Sequence, residues 1–149
     1  MISLQREELE QYTVKDLIIP SEKVAHVQGG NPLEHALLVL VKSGYSAVPV
    51  LDPQYKLKGS ISKTIILDNM LGIEEFELER LSNITVQEVM KTDIPLLNLE
   101  DTFSTGLDAV TNHPFVCVVD DEGFFEGILT RRAILKRLKR HLHTYNQHL

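Results

Sequence analysis

The chain of 149 residues has one cysteine, Cys117, so no disulfide can form within it, and a reducing cytoplasm is the expected compartment. Cys117 sits among valines, which predicts a buried, inert thiol rather than a nucleophile. No apolar run approaches the length of a membrane span. The first ten residues carry three glutamates and no apolar core, so no secretory signal is expected. Acidic residues are missing after position 130. Residues 1–130 hold nine basic and twenty-one acidic residues, a net −12, whereas residues 131–149 hold six basic residues and no acid. An acidic body disfavours broad contact with polyanions. Catalytic sets are absent too. There is no P-loop and no Gly-x-Gly-x-x-Gly. Gly44-x-Ser46 lacks the second glycine of a nucleophile elbow, and its serine precedes a strand. His141, His143 and His148 lack i, i+4 spacing and an accompanying Cys or carboxylate, so they read as a solvated helix end, not a metal site. His26 and His35 are isolated and read as core-edge packing. No catalytic or metal-binding residue is expected, and an enzyme is not.

What is present is a hairpin, twice. Ala47-Val48-Pro49-Val50-Leu51 is a β-branched run. Asp52-Pro53-Gln54-Tyr55 reads as a turn, and Lys56 to Ser60 begins the return strand. Pro49 lacks an N–H, so it predicts an edge or bulge, where unpaired backbone could meet a ligand. An ordinary hairpin with an edge proline is the plain alternative. Val48, Val50, Asp52 and Gly59 recur as Val116, Val118, Asp120 and Gly127 at one shift of 68. Upstream, Val14–Ile18 resembles Val86–Met90, and Asn31–Ala36 resembles Asp101–Gly106. So long a period suggests two half-units, not a solenoid.

Length and an ordinary 43% hydrophobic content fit one globular module. Ser3 to Gln11 favours a helix. Val14 to Ile19 predicts a short helix stopped by Pro20. Lys23 to Val27 alternates like a strand. Asn31 is the expected cap of a helix with Pro32 at its first position. Leu33, Ala36, Leu37, Leu40 and Val41 should face the core, and Gly44 should end the helix. Lys63 to Leu71 reads as a helix closed by Gly72, and Ile73 to Ser82 as an amphipathic linker. Ile94 to Leu99 predicts a strand, and Asp101 or Thr102 a helix cap. From Arg131 a long helix places Ile134, Leu135, Leu138, Leu142 and Tyr145 on one side.

These residues resemble a pair of CBS motifs, the Bateman module: a lead helix, a strand, a helix opening Asn31-Pro32-Leu33, the Ser-Ala-Val-Pro-Val-Leu-Asp strand, a Gly-x-x-Ser strand and a closing helix. The resemblance covers residues 12 to 140. It implies an α/β fold of two β-α-β-β-α half-units about a pseudo-twofold axis. The expected division is an N-terminal extension at 1–12, motif 1 at 13–72, a linker at 73–84, motif 2 at 85–140 and a tail at 141–149. It also implies a non-catalytic, dimeric sensor of adenine nucleotides.

Carried over from the family, a first ligand site would use Lys23, Val24 and Ala25, then Tyr45, Ser46, Ala47 and Pro49, then Ile128, Thr130, Arg131 and Arg132. Small Ala25 leaves room for a flat base, and Tyr45 can stack on it. Thr130 opens a helix, whose N–H groups and dipole favour a phosphate. Two arginines there oppose the dipole and want an anion, although they could also simply solvate the helix start. A second site would use Ile94, Pro95, Leu96, Pro114 and Phe115 with Ser62 and Lys63; crowded by Pro95 and Phe115, it should be empty or weak.

Nucleoside-binding CBS motifs place an aspartate three residues after the Ser/Thr, where it grips the ribose hydroxyls. Here those positions are Ile65 and Ala133. A cyclic dinucleotide has its 3′ oxygen in a phosphodiester and offers no free diol. Losing the acid beside two arginines therefore suits cyclic di-AMP. The chain is similar to the stand-alone bacterial CBS pairs of the DarB/CbpB type, which are cyclic di-AMP receptors. That resemblance implies a regulated protein partner, such as the alarmone synthetase/hydrolase Rel or pyruvate carboxylase. The alternatives are an AMP- or ATP-sensing CBS module, or nucleic-acid binding through Lys136, Arg137, Lys139 and Arg140. Leucines that need burial and the lack of base-stacking aromatics weigh against nucleic acid.

Overall fold

Each hairpin is built by the aspartate that ends its first strand. Asp52 Oδ1 accepts from the amides of Gln54 and Lys56, both at 2.9 Å. Asp120 Oδ1 accepts from Glu122 and Phe124, again at 2.9 Å. Tyr55 (φ 72°) and Gly123 (φ 91°) take the left-handed position of the two turns. The Lys56 amide is the main reason the Asp52 carboxyl lies below its ordinary pKa; desolvation opposes it, and Gln54 and Lys58 add to the lowering.

A computed structural model describes residues 7–71 and 78–147, with side chains as far as 143. Residues 7–10 are helical and Val14–Asp16 forms a 3-10 turn. Then follow β1 (Ile19–Pro20), a 3-10 turn at Ser21–Lys23, β2 (Val27–Gln28), α1 (Leu33–Ser43), β3 (Ala47–Leu51), β4 (Leu57–Ser62) and α2 (Lys63–Met70). The second half contributes α3 (Arg80–Asn83), α4 (Val86–Val89), β5 (Leu96–Asn98), α5 (Phe103–Thr111), β6 (Phe115–Val119), β7 (Phe125–Thr130) and α6 (Arg131–Gln147). Two compact units result.

The first-hairpin unit is Ala25–Ile94. Its sheet runs β2-β3-β4, with β2 parallel and β4 antiparallel to β3. Leu33, Ala36 and Leu40 of α1 are buried with Val48, Val50, Ile61 and Ile66. Val86 of α4 lies in this same core. The Lys91 amide and carbonyl pair with Ser60 at 2.9 Å each way. The lead segment of the second repeat thus completes the first repeat's sheet.

The second-hairpin unit is Met1–Val24 with Pro95–Leu149. Its sheet runs β1-β7-β6-β5. Val14 is buried with Phe103, Val116, Val118, Leu129 and Ile134, and β1 pairs with β7 through Ile19↔Ile128. Here the first repeat's lead segment completes the second repeat's sheet. The exchange explains the repeat glycines. A Cβ on Gly59 would strike the Lys91 carbonyl, and one on Gly127 would strike that of Ile19. The N-terminal segment is tied down further by Glu10, whose carboxylate accepts from the Ser104 amide at 3.1 Å and from its hydroxyl, at the start of α5.

Several expectations need correction. The strand foreseen over Val24–Val27 is only Val27–Gln28, preceded by a 3-10 turn. Pro49 is not at an edge: β3 is the central strand. Ser60, opposite Pro49, has both backbone groups on Lys91, so the proline nitrogen points toward β2. The ladder position it faces is the Ala25 carbonyl. Without an N–H to donate, pairing cannot extend back past Val27. The Ile94–Leu99 strand is shortened to Leu96–Asn98. The Val14–Ile19 helix is a 3-10 turn over Val14–Asp16 followed by β1. Asn31 does not cap α1; its Oδ1 accepts from Gln28 N at 2.8 Å inside a turn, and Pro32 is the capping residue. Val41 is 61% exposed rather than in the core, as are Leu135 (56%) and Leu142 (52%) on α6, while Ile134 is buried. Gly44, at φ 78°, does end α1, and Thr102 caps α5. The Gly72 stop, residues 73–77 of the linker and Tyr145's side chain lie outside the described residues.

Candidate ligand-binding site

In the first-hairpin unit, Ala25, Tyr45, Ser46, Ala47 and Pro49 gather around the amino end of β3. Gly44 turns the chain out of α1, so Tyr45 emerges 44% exposed. Its amide bonds to Ser43 Oγ at 3.3 Å. The Ser46 carbonyl accepts from Lys63 N, the first amide of α2, at 3.1 Å. Ser62 Oγ caps that helix by accepting from Ile65 N at 3.1 Å. Among the described residues, Ala25 has no backbone hydrogen-bond partner. Its carbonyl and N–H are the polar edge that the proline leaves open.

In the second-hairpin unit, Ile128, Thr130, Arg131 and Arg132 form the junction of β7 and α6. Ser21–Lys23 packs against β7, and Lys23 is exposed while Val24 is buried. Ile128 is also buried. The helix start has fewer open amides than its sequence suggests. Arg131 N bonds to Pro114 O at 2.9 Å, and Ala133 N to Thr130 Oγ1 at 3.0 Å. The amide left over is that of Arg132. The two arginines also differ. Arg131 Nε donates to Val110 O at 2.9 Å, and its Nη2 lies 3.5 Å from Thr111 O. These carbonyls end α5, where the helix dipole favours a cation. Arg131 therefore has a partner for its charge. Arg132 is exposed, and its side chain bonds to no other described residue. The residue pattern alone could not separate them, because the carbonyls that hold Arg131 are some twenty positions upstream.

The remaining expected residues are scattered in role. Leu96 is 52% exposed and Phe115 half-buried; Pro114 serves as acceptor for Arg131. Cys117 is buried, and desolvation pushes its thiol up to about 12. One cavity was not foreseen. A groove of 390 Å³ opens at the carboxyl end of β2 and β3, lined among others by Gln28, Gly29, Gly30, Asp52, Lys58 and Gln87. Its signal in the sequence is the glycine pair, which the second repeat replaces with Leu99-Glu100. No group of three or more His, Cys, Asp or Glu among the described residues is arranged to hold a metal, and no helix among them is long and apolar enough to cross a membrane.

Comparison with known proteins agrees with this architecture. The CBS domain profile matches residues 14–72 and again 86–140. The chain is 52% identical to cyclic di-AMP receptor B of Bacillus subtilis over 147 residues, which covers 99% of this chain and all of that one. The crystal structure of Listeria monocytogenes CbpB in complex with c-di-AMP superposes with a TM-score of 0.82 at 50% identity, covering 88% of this chain and 98% of that one. A CBS domain-containing protein of unknown function from Bacillus anthracis superposes at 0.85 and 63% identity, over 91% of this chain and 98% of that one. With both repeats matched and each carrying the same capped hairpin, this chain belongs to the CBS-domain family and comprises one tandem pair, a Bateman module.

Proposed function

We propose that this chain is a non-catalytic receptor for cyclic di-AMP. The observation that carries the reading is Arg132, a guanidinium with no partner among the described residues, beside Ala133 where a ribose-binding acid would stand. The similarity to a cyclic di-AMP receptor and to a c-di-AMP-bound CbpB supports the ligand class. Arg132 and the helix dipole balance a phosphodiester, with Lys23 adding charge and Arg131 offering the unengaged edge of its fork. The backbone edge at Ala25 and Ala47, with Pro49 and Tyr45, reads an adenine. Val24, Ser46, Ile128 and Thr130 complete the set. With neither Ala133 nor Ile65 able to accept from a ribose diol, AMP and ATP lose the contact that makes them tight ligands in acid-bearing motifs.

Receptor occupancy would control docking on a protein partner, with Rel or pyruvate carboxylase the candidates by family resemblance. Self-association is part of the same proposal. Each unit presents apolar side chains on a helix surface, Leu38 and Val41 on α1 and Leu135 and Leu142 on α6. Light scattering should give twice the chain mass. Isothermal calorimetry with cyclic di-AMP, AMP and ATP tests the ligand. Cyclic di-AMP is expected to bind tightest, and Arg132→Met to weaken it by about tenfold or more. Tighter binding of AMP or ATP would overturn the reading.

A further inference from the structure

The long helix α6 carries a second basic surface, which begins at Ala133 and whose three cations the nucleotide reading does not use. Ala133, Lys136, Arg137 and Arg140 follow each other at i, i+3, i+4 and i+7, so they share one face. With Asp16 and Leu17 they line a pocket of 180 Å³ within the second-hairpin unit. The pocket holds three cations against one carboxylate. One oxygen of that carboxylate is already engaged, because Asp16 Oδ2 accepts from Thr13 N at 2.9 Å and Thr13 Oγ1 at 3.3 Å. Among the described residues, none of the three cations forms an ion pair. Arg137 is fixed in place by stacking 4.3 Å over the Tyr12 ring. Lys136 and Arg140 repel each other across one turn, which costs helix stability unless an anion lies between them.

Size narrows the occupant. Ligand pockets for drug-sized molecules run from about 300 Å³ upward. This pocket is below that range and above the share of a few waters, about 30 Å³ each. Its cations span one helical turn, about 5.4 Å, which suits two linked anionic groups better than one. Leu17 and Ala133 offer a short apolar wall but no room for a base beside a sugar. We propose that this pocket binds a diphosphate group, with Lys136 and Arg140 bracketing it and stacked Arg137 supplying a forked contact. The diphosphate could be free or the end of a nucleotide. Neither source requires the cyclic di-AMP reading to hold.

Calorimetry on the full chain, with inorganic pyrophosphate, ADP and orthophosphate as probes, tests it. Pyrophosphate should bind at least as tightly as ADP and about tenfold more tightly than orthophosphate. Lys136→Gln/Arg140→Gln should lower pyrophosphate affinity about tenfold, and the variant's melting temperature shows that it is folded. Arg132→Met should leave pyrophosphate binding unchanged while it weakens cyclic di-AMP, so the two sites fail separately. Pyrophosphate binding that is lost in Arg132→Met, or unaltered in the double variant, would overturn the proposal. So would a single-stranded oligonucleotide that binds more tightly than pyrophosphate and depends on the same two cations. If the double variant does not fold, Arg137→Met read by the same titration decides the matter, with unchanged affinity counting against the site.

Discussion

The two hairpins pair their strands in the same register, and one of the positions where they differ decides how far the neighbouring strand pairs. Where the first has Pro49, the second has Cys117. The Cys117 amide faces the Pro95 carbonyl, and β5 pairs over three residues, Leu96–Asn98. The proline offers nothing to Ala25, and β2 pairs over two. One missing hydrogen thus separates a closed sheet edge from one with backbone groups to give. The difference teaches that a sheet can open a backbone edge by subtraction. Side chains differ across the whole repeat, but it is a lost ladder bond that makes the two sheet edges unequal.

The largest expected effect concerns a feature that the halves share unequally. Both repeat glycines let a carbonyl pass, but only Gly127 also has a backbone forbidden to other residues, at φ 150°. Gly127→Ala should cost about 4 kcal/mol in urea melts, and Gly59→Ala about 2 kcal/mol. Equal losses would mean that the clash alone matters. Next, Cys117→Pro copies the first repeat's device into the second. It removes a ladder donor from the buried middle strand and should cost about 2 kcal/mol, read by the same melts.

The converse change, Pro49→Val, gives Ala25 a ladder partner. It should barely alter stability but weaken cyclic di-AMP about tenfold by calorimetry, because the ligand must then compete with β2. The smallest effect is on pH dependence. Burial lifts the Cys117 thiol from 9.0 to about 12, so the folded chain keeps a proton that the unfolded chain releases. Its contribution is whole below pH 9 and is lost as pH rises from 9 toward 12. Wild type should lose about 1 kcal/mol relative to Cys117→Val by pH 10 in parallel melts.

The hairpins, the αL stop at Gly44 and the buried thiol were legible because each depends on neighbours within a few residues. The ends of β2 were not. Alternation over Lys23–Val27 signals a strand truthfully enough, but a residue two dozen positions away withholds the bond. Likewise the cap of α1 moved because Asn31 had a nearer donor in Gln28 N. On α6 the leucines read as one buried side because helical spacing alone does not say which side meets the core; Ile134 and Leu138 do, and Leu135 and Leu142 do not. Of the two arginines, pattern identified the pair, and only the position of α5's last carbonyls distinguishes the one that is held.

The exchange of lead segments has a consequence for biosynthesis. The unit at Ala25–Ile94 is contiguous and can fold while the ribosome is still at work. The other unit joins Val14 and Ile19 to strands made a hundred residues later, so its sheet cannot close until β7 has left the exit tunnel. A nascent chain paused once position 94 has cleared the tunnel would carry one finished half and an unmatched apolar N-terminal arm, the form in which chaperones would meet it.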